Sequence, residues 1–309
     1  MKIDSSRTGG LSVPQTSPVH ALDVLSTAAA PAIWGSTYIV TTEFMPAGIP
    51  LTVAMLRALP AGILLLVIVR TLPRGVWLWR SFLLGAFNFS IFWWLLFVSA
   101  YRLPGGVAAT VGAIQPLIVI GLARLVLGRA IQSAAIASAV AGVVGVALLV
   151  LTPAAKLDAI GIAAGLGGAM SMACGTVLSR KWQPPVSALT FTAWQLTAGG
   201  VLLLPVALSL EPVPSNLTAN NALGIVWLGL VGAAGTYFLW LRGIRRLEPT
   251  MVSFLLFLSP LTAVTLGWIL LDQTLTLSQI AGVALIVGGI WFGQQTQKIS
   301  VAKARASMS

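Results

Sequence analysis

Ten apolar runs follow one another along the chain, at approximately 24–42, 49–70, 80–101, 104–126, 132–151, 158–180, 186–209, 221–243, 248–271 and 275–295. Each is about twenty residues long, which at a helical rise of 1.5 Å per residue matches the hydrocarbon thickness of a bilayer. Helix breakers separate them: Pro46 and Pro50, Pro73, Pro104, Pro153, Pro184 and Pro185, Pro212 and Pro214, and Pro249. Composition agrees, since 57% of the 309 residues are hydrophobic and 8% are charged, against roughly 25% charged in a soluble domain. The expected fold class is an all-α integral membrane bundle of ten transmembrane helices.

The charges orient it. With the N-terminus in the cytoplasm and ten alternating crossings, fifteen of the eighteen Lys and Arg fall on the cytoplasmic side, Arg102 and Lys156 on the far side, and Arg57 within the membrane. That asymmetry is the positive-inside bias of a multi-pass protein with both termini cytoplasmic, in a bacterial-type inner membrane. The net charge of +11 therefore needs no nucleic-acid partner, because the basic residues sit singly or in pairs in short loops. Residues 1–22 are polar and rich in Ser, Thr, Pro and Gly, and read as a disordered cytoplasmic tail; residues 296–309 read as a second cytoplasmic tail. Ala28 to Ala30 are small enough for signal cleavage, but the apolar run continues to Thr42, which suits a spanning helix.

The chain also repeats itself. Leu51–Leu66 aligns with Leu189–Leu204 at an offset of 138, and Pro116-Leu117 with Pro260-Leu261 at an offset of 144. This divides it into halves at 23–152 and 158–295. Five crossings is an odd number, so the second half enters the membrane from the opposite side. Inverted repeats of this kind are the sequence signature of alternating-access transporters.

The residues Ala30 to Tyr38 in the first run, Leu56-Arg57-Ala58 in the second, and Gly106-Val107-Ala108-Ala109 through Gln115-Pro116-Leu117 in the fourth resemble the drug/metabolite transporter superfamily. So do Ser259-Pro260-Leu261 and the stretch from Leu271-Asp272-Gln273 to Gly282. The resemblance extends over about 24–295. It is to the ten-helix EamA-type permeases, and within them to PecM-like exporters, which are associated with export of an indigoidine-like pigment. It implies secondary transport without a cofactor. Asp272 stands where that family often has Glu, and its first-half counterpart is Gly128, so no coupling role is carried over to it.

Polar groups inside a membrane are costly and therefore informative. Arg57 is the sharpest: either it holds an anionic group of a substrate, which the planar guanidinium suits, or it is structural, snorkelling outward or pairing with Glu43. Trp34, Thr37, Tyr38 and Thr41 form one polar-aromatic stripe at helical spacing. Asn88, Gln115 and Gln195 (the repeat partner of Arg57) are lone amides that serve equally as cavity lining or as glue between helices. Tyr237 and Trp240 suit a pocket wall. Trp34, Thr37, Tyr38, Arg57, Asn88, Gln115, Gln195, Tyr237 and Trp240 are thus the candidate substrate-binding residues.

No catalytic or metal-ligating constellation is present: the one histidine, His20, lies in the tail, the one cysteine, Cys174, lies in an apolar run, and all seven acids sit at helix ends, in tails or in loops. Glu43 is the candidate for any proton coupling. The expected function is alternating-access export or exchange of a small amphipathic or zwitterionic metabolite, amino-acid-like or aromatic, by a monomer or homodimer. Proton-coupled drug or pigment efflux is the nearer alternative, and a non-transporting scaffold or membrane-bound enzyme the more distant one.

Overall fold

The structure, a computed structural model, describes residues 18–46, 48–103, 111–150, 158–212, 214, 217–270 and 276–306. Every regular element among them is helical. The motif residues 106–109, Pro104, Pro153, Lys156, Leu271-Asp272-Gln273 and the side chains of His20 and Tyr38 lie outside the described residues.

The first half contains α1 (Pro18–Gly35), α2 (Thr37–Phe44), α3 (Pro50–Val69), α4 (Val76–Gly85), α5 (Ile91–Arg102), α6 (Gln115–Leu127) and α7 (Ser133–Val150). The second contains α8 (Ala159–Lys181), α9 (Ala188–Leu210), α10 (Ala219–Val226), α11 (Thr236–Arg246), α12 (Pro249–Phe254), α13 (Leu258–Leu270) and α14 (Leu277–Ala306). Among the described residues, six helical stretches are long and apolar enough to cross a membrane: Pro50–Val69, Val76–Ser99, Ala159–Lys181, Ala188–Leu210, Ala219–Arg246 and Pro249–Leu266. Gln115–Leu127, Ser133–Leu148 and Leu277–Gly293 are apolar but shorter. A lipid-facing stripe is visible on α3, where Ile63, Leu64, Val67 and Ile68 are all exposed.

Among the described residues the helices depart from uniform rods in several places, including a turn at Ala113-Ile114 within the fourth expected helix. The first expected helix begins earlier, at Pro18, and breaks at Ser36. There the Ser36 amide bonds the Ile33 carbonyl at 3.0 Å and the Ser36 hydroxyl donates to the same oxygen at 2.7 Å, tightening the turn. The third expected helix has a π segment, Ala86–Ser90, between α4 and α5, and the eighth has another, Trp227–Gly235, between α10 and α11. The ninth passes through a short 3₁₀ turn, Leu255–Phe257, just ahead of Pro260, which lacks an amide hydrogen to give the preceding turn. The last helix continues to Ala306, well into the segment expected as a tail.

Close backbone contact arranges the bundle. Helix α3 lies along α9, and α7 along α14. A Cβ on Gly62 would fall 2.5 Å from the Thr197 amide nitrogen, and one on Gly200 2.7 Å from Leu59 Cα. In the other seam, a Cβ on Gly145 would fall 2.8 Å from the Gly282 carbonyl oxygen, and one on Gly289 3.0 Å from that of Ser138. Lipid tails are as apolar as leucine, so helices in a bilayer gain little from burying side chains against each other, and close packing takes over that role. The remaining contacts place α5 and α6 on α8, and α11 and α13 on α1. Where these layers meet, Phe89, Trp93, Leu196, Tyr237 and Trp240 form the centre of the largest core cluster.

Gly62→Val and Gly200→Val should each lower the unfolding temperature in detergent, because overpacking a tight contact costs about 1–3 kcal/mol. Gly288, which has nothing within 4 Å of a built Cβ, should accept Ala without loss. Equal melting of all three variants would rule out these seams as close contacts.

Candidate substrate site

The π segment Trp227–Gly235 generates the polar centre of the bundle. At its end the Thr236 amide bonds the carbonyls of Ala233 and Val231, rather than the Gly232 oxygen that an α-helix would use. The Gly232 oxygen is left for side chains. It accepts from Arg57 Nη2 at 2.7 Å, from Trp34 Nε1 at 3.2 Å and from Thr236 Oγ1 at 2.9 Å. Trp34 Nε1 also donates to Thr236 Oγ1 at 2.8 Å. A Cβ at Gly232 would lie 3.6 Å from Arg57 Nη2, an ordinary contact, so the shifted ladder rather than the missing side chain opens this oxygen. Three elements that are distant in sequence thus converge on one backbone oxygen.

Aromatic rings close around this point. Trp34 stacks at a tilt on Tyr237 (4.8 Å between centroids) and on Trp240 (5.2 Å). Phe89 contacts Tyr237 at 4.5 Å and Trp93 at 5.3 Å. The Arg57 guanidinium lies 4.7 Å from the Trp93 ring centroid, a cation–π distance. Arg57 is only 8% exposed, which excludes snorkelling. Its described contacts are the Gly232 carbonyl and the Trp93 ring, and no carboxylate among the described residues pairs with it. Arg57 Nε and Trp240 Nε1 are both buried without a hydrogen-bond partner. The arrangement is a positively charged, donor-rich point in an aromatic wall, suited to a flat solute that carries an anionic or strongly accepting group.

Of the candidate residues, the structure brings Trp34, Arg57, Tyr237 and Trp240 together. Asn88 and Gln195 sit beside them as a buried clamp: Asn88 Nδ2 donates to Gln195 Oε1 at 2.8 Å and to Ser179 Oγ at 3.3 Å. This ties the first π segment to α8 and α9. Gln115 is buried at the start of α6, and its Nε2 has no partner. Thr37 is half-buried in α2, and Tyr38 lies outside the described side chains. Glu43 is exposed near the end of α2. Sequence reasoning does not single out Phe89, Thr236 or the Gly232 carbonyl. Trp93 is legible in the sequence as one of the intramembrane aromatics and as the counterpart of Tyr237 at the repeat offset of 144.

The two ends of the bundle differ. At the end where α1 begins, Asp23 Oδ1 receives Arg242 Nη2 at 2.8 Å and Arg246 Nη1 at 3.0 Å. Arg242 also reaches Ser26, and Arg129 pairs with Glu248 at 2.8 Å. Arg180 donates to the carbonyls of Ile244 and Arg245, and Arg245 donates to that of Val186. Helix α11 is clamped from several sides. At the opposite end the only described ion pair is Arg102–Asp158 at 3.6 Å, with side chains 45% and 40% exposed. There the Glu211 carboxylate accepts from the amides of Leu51 and Thr52, each at 2.7 Å, capping α3. Beside it is a pocket of about 270 Å³ lined by Leu51, Trp94, Phe97, Arg102 and Glu211.

Comparison with known proteins bears on the family and the fold of the chain. The model of the EamA-like transporter family matches twice, at residues 22–151 and 159–292. Protein PecM of Dickeya dadantii (strain 3937) is 45% identical over 276 residues, covering 89% of this chain and 93% of that protein. The uncharacterized transporter YvbV of Bacillus subtilis (strain 168) is 28% identical, covering 88% of this chain and 91% of that one. A crystal structure of a protein with 19% sequence identity superposes with a TM-score of 0.76, covering 89% of this chain and 98% of the other; at that identity it bears on the fold alone.

Asn88→Leu should lower thermal stability in detergent, since it strands the buried Gln195 amide, and an orphaned buried polar group costs about 1–3 kcal/mol. The double substitution Asn88→Leu with Gln195→Leu should recover part of that loss. An additive double mutant would show that the two amides are not coupled.

Proposed function

The chain belongs to the EamA-like transporter family of the drug/metabolite transporter superfamily and is PecM-like, and from that premise we propose that it exports or exchanges a small amphipathic or zwitterionic metabolite across the bacterial inner membrane. The observation that carries the reading is Arg57. A guanidinium within a spanning helix costs roughly 2.5–3.5 kcal/mol on insertion scales. Here it is buried among aromatic rings with a carbonyl for a partner and no acid among the described residues. A solute carboxylate is a natural complement to such a group, and the wall of Trp34, Tyr237 and Trp240 suits an aromatic or amphipathic body.

We read the bundle as ten crossings in two inverted five-helix halves, the first crossing being α1 with α2. The glycine seams support this. Gly62 and Gly200 are 138 residues apart, as are Leu59 and Thr197, and each glycine packs on the other's neighbour. Gly145 with Gly289, and Ser138 with Gly282, do the same at an offset of 144. Such crossed contacts are what a pseudo-twofold axis in the membrane plane produces. The two matches of the family model, one per half, point the same way.

The unequal ends support alternating access. The ion pairs and carbonyl contacts around α11 support a closed gate at the end where α1 begins, and the positive charge bias supports reading that end as cytoplasmic. The pocket near Glu211 then opens outward. Helix α11 carries both Tyr237 and Trp240 of the site and Arg242 and Arg246 of the closed end, so movement at one is felt at the other.

The test is uptake into proteoliposomes of aromatic and aliphatic amino acids, aromatic amines and small pigments, with and without a pH gradient. Saturable uptake of carboxylate-bearing solutes should fall tenfold or more in Arg57→Ala and partly recover in Arg57→Lys. Equal uptake by wild type and Arg57→Ala would overturn the role of Arg57, and absence of flux for every solute by folded protein would overturn transport of this class. Uptake that requires the gradient would instead favour proton-coupled efflux. In a Cys174→Ser background, Asp23→Asn should raise the rate at which a water-soluble thiol reagent labels Ala30→Cys several-fold by opening the cytoplasmic end. An unchanged labelling rate would show that Asp23 is not part of a gate.

A further inference from the structure

Outside the central site, one charged side chain is surrounded in a way the transport reading does not use. Arg80 Cζ lies 5.1 Å from the ring centroid of Trp77, 5.8 Å from that of Trp79 and 4.9 Å from that of Trp182. Trp77 and Trp79 come from the same short helix, α4, whereas Trp182 caps the C-terminus of α8 in the other half. The box is braced. Trp79 meets Trp182 edge to face at 5.4 Å, and Trp77 packs on Phe191 and Trp194 at 6.2 and 6.4 Å. Trp194 is itself held by donation to the Thr71 carbonyl at 2.7 Å.

Arg80 is half-buried, and its Nε is fully enclosed with no hydrogen-bond partner. No carboxylate or carbonyl among the described residues accepts from it; its described partners are the three rings. The rings steady the guanidinium but supply no acceptors for its five donor hydrogens, and no countercharge. Around the box Val76, Leu78, Trp79 and Phe82 are exposed, three of them by more than 40%. This surface therefore faces lipid, at a helix end where a tryptophan belt meets the headgroups. The anion available at that depth is a phosphodiester.

We infer that the Arg80 box binds the phosphate of an anionic phospholipid, with the indoles holding the guanidinium flat and its outer edge forking onto two phosphate oxygens. Planar bidentate pairing of this kind is what arginine offers a phosphate and lysine does not. Because Trp182 and α4 belong to different halves, a bound lipid fastens them together. The leaflet follows from the orientation proposed above, but the site itself does not depend on it.

The experiment uses the delipidated full chain in detergent, titrated with phosphatidylglycerol, phosphatidylcholine or inorganic phosphate. Native mass spectrometry reads adducts and thermal unfolding reads stabilisation. Phosphatidylglycerol should bind and raise the melting temperature, and phosphatidylcholine should bind more weakly. Arg80→Gln should weaken phosphatidylglycerol binding about tenfold, as loss of one charge-assisted bidentate pair would. Arg80→Lys should lie between the two and serves as the second variant if Arg80→Gln fails to fold. Arg70→Gln with Arg74→Gln, which removes nearby charge but leaves the box, should change it little. Equal binding of both lipids, or undiminished binding by both folded Arg80 variants, would overturn the assignment. Arg80-dependent stabilisation by inorganic phosphate as strong as that by lipid would replace the lipid with a soluble phosphate. None of these readouts involves flux, so they stand or fall separately from the transport reading.

Discussion

A guanidinium placed inside a bilayer has to be answered by another group, and at the centre of this bundle the answer is a backbone oxygen. The Gly232 carbonyl is available because the π segment before Thr236 shifts the amide ladder by one residue. Arg57, Trp34 and Thr236 then share it. Without that shift the oxygen would be occupied within its own helix, and the Arg57 charge would face aromatic rings alone. The cation–π contact with Trp93 adds to the carbonyl but does not replace it. The position of α3, the break in α1 next to Trp34 and the start of α11 all fit around this junction.

The first π segment makes a parallel case. At its end the Ile91 amide bonds the Ala86 carbonyl, and the Phe87 carbonyl accepts the Ser171 hydroxyl of α8 at 2.8 Å. In each of these stretches an irregular turn exports one acceptor to a neighbouring helix. Non-helical backbone is tolerated at membrane depth where protein supplies the missing partners. The resemblance ends at the residue level. Asn88 and Gln195 form a neutral amide clamp on one side, whereas Arg57 and Gly232 form a charged contact on the other. The seams are alike while the centre is not.

Much of the helical layout was legible in the sequence, because apolar runs of bilayer length have few other solutions. Trp34, Arg57, Tyr237 and Trp240 were legible as intramembrane polar and aromatic residues at helical spacing. The π segments were not, since neither contains a proline and no residue type demands an extra residue per turn. With them the role of Gly232 was hidden: a glycine advertises close packing, not a freed carbonyl. The ion-pair cluster where α1 begins was hidden for a different reason. Asp23 and Arg242 looked like ordinary charges at helix ends, and their pairing depends on α1 lying against α11. Gln115 and Thr37 show the limit from the other side, as polar residues in plausible positions that join no described cluster.

The break at Ser36 has a mechanical consequence. A continuous helix is stiff in torsion, so turning one end turns the other. Here α1 is anchored at Asp23 to Arg242 and Arg246, and α2 is anchored at its last residue, where the Phe44 carbonyl accepts from Asn221. Between the anchors, the Ser36 turn and its contact with Trp227 Nε1 at 3.1 Å form a joint. Such a joint interrupts the torsional coupling between α1, which carries Trp34, and α2. The two helices are then held by different anchors, α1 by Arg242 and Arg246 and α2 by Asn221.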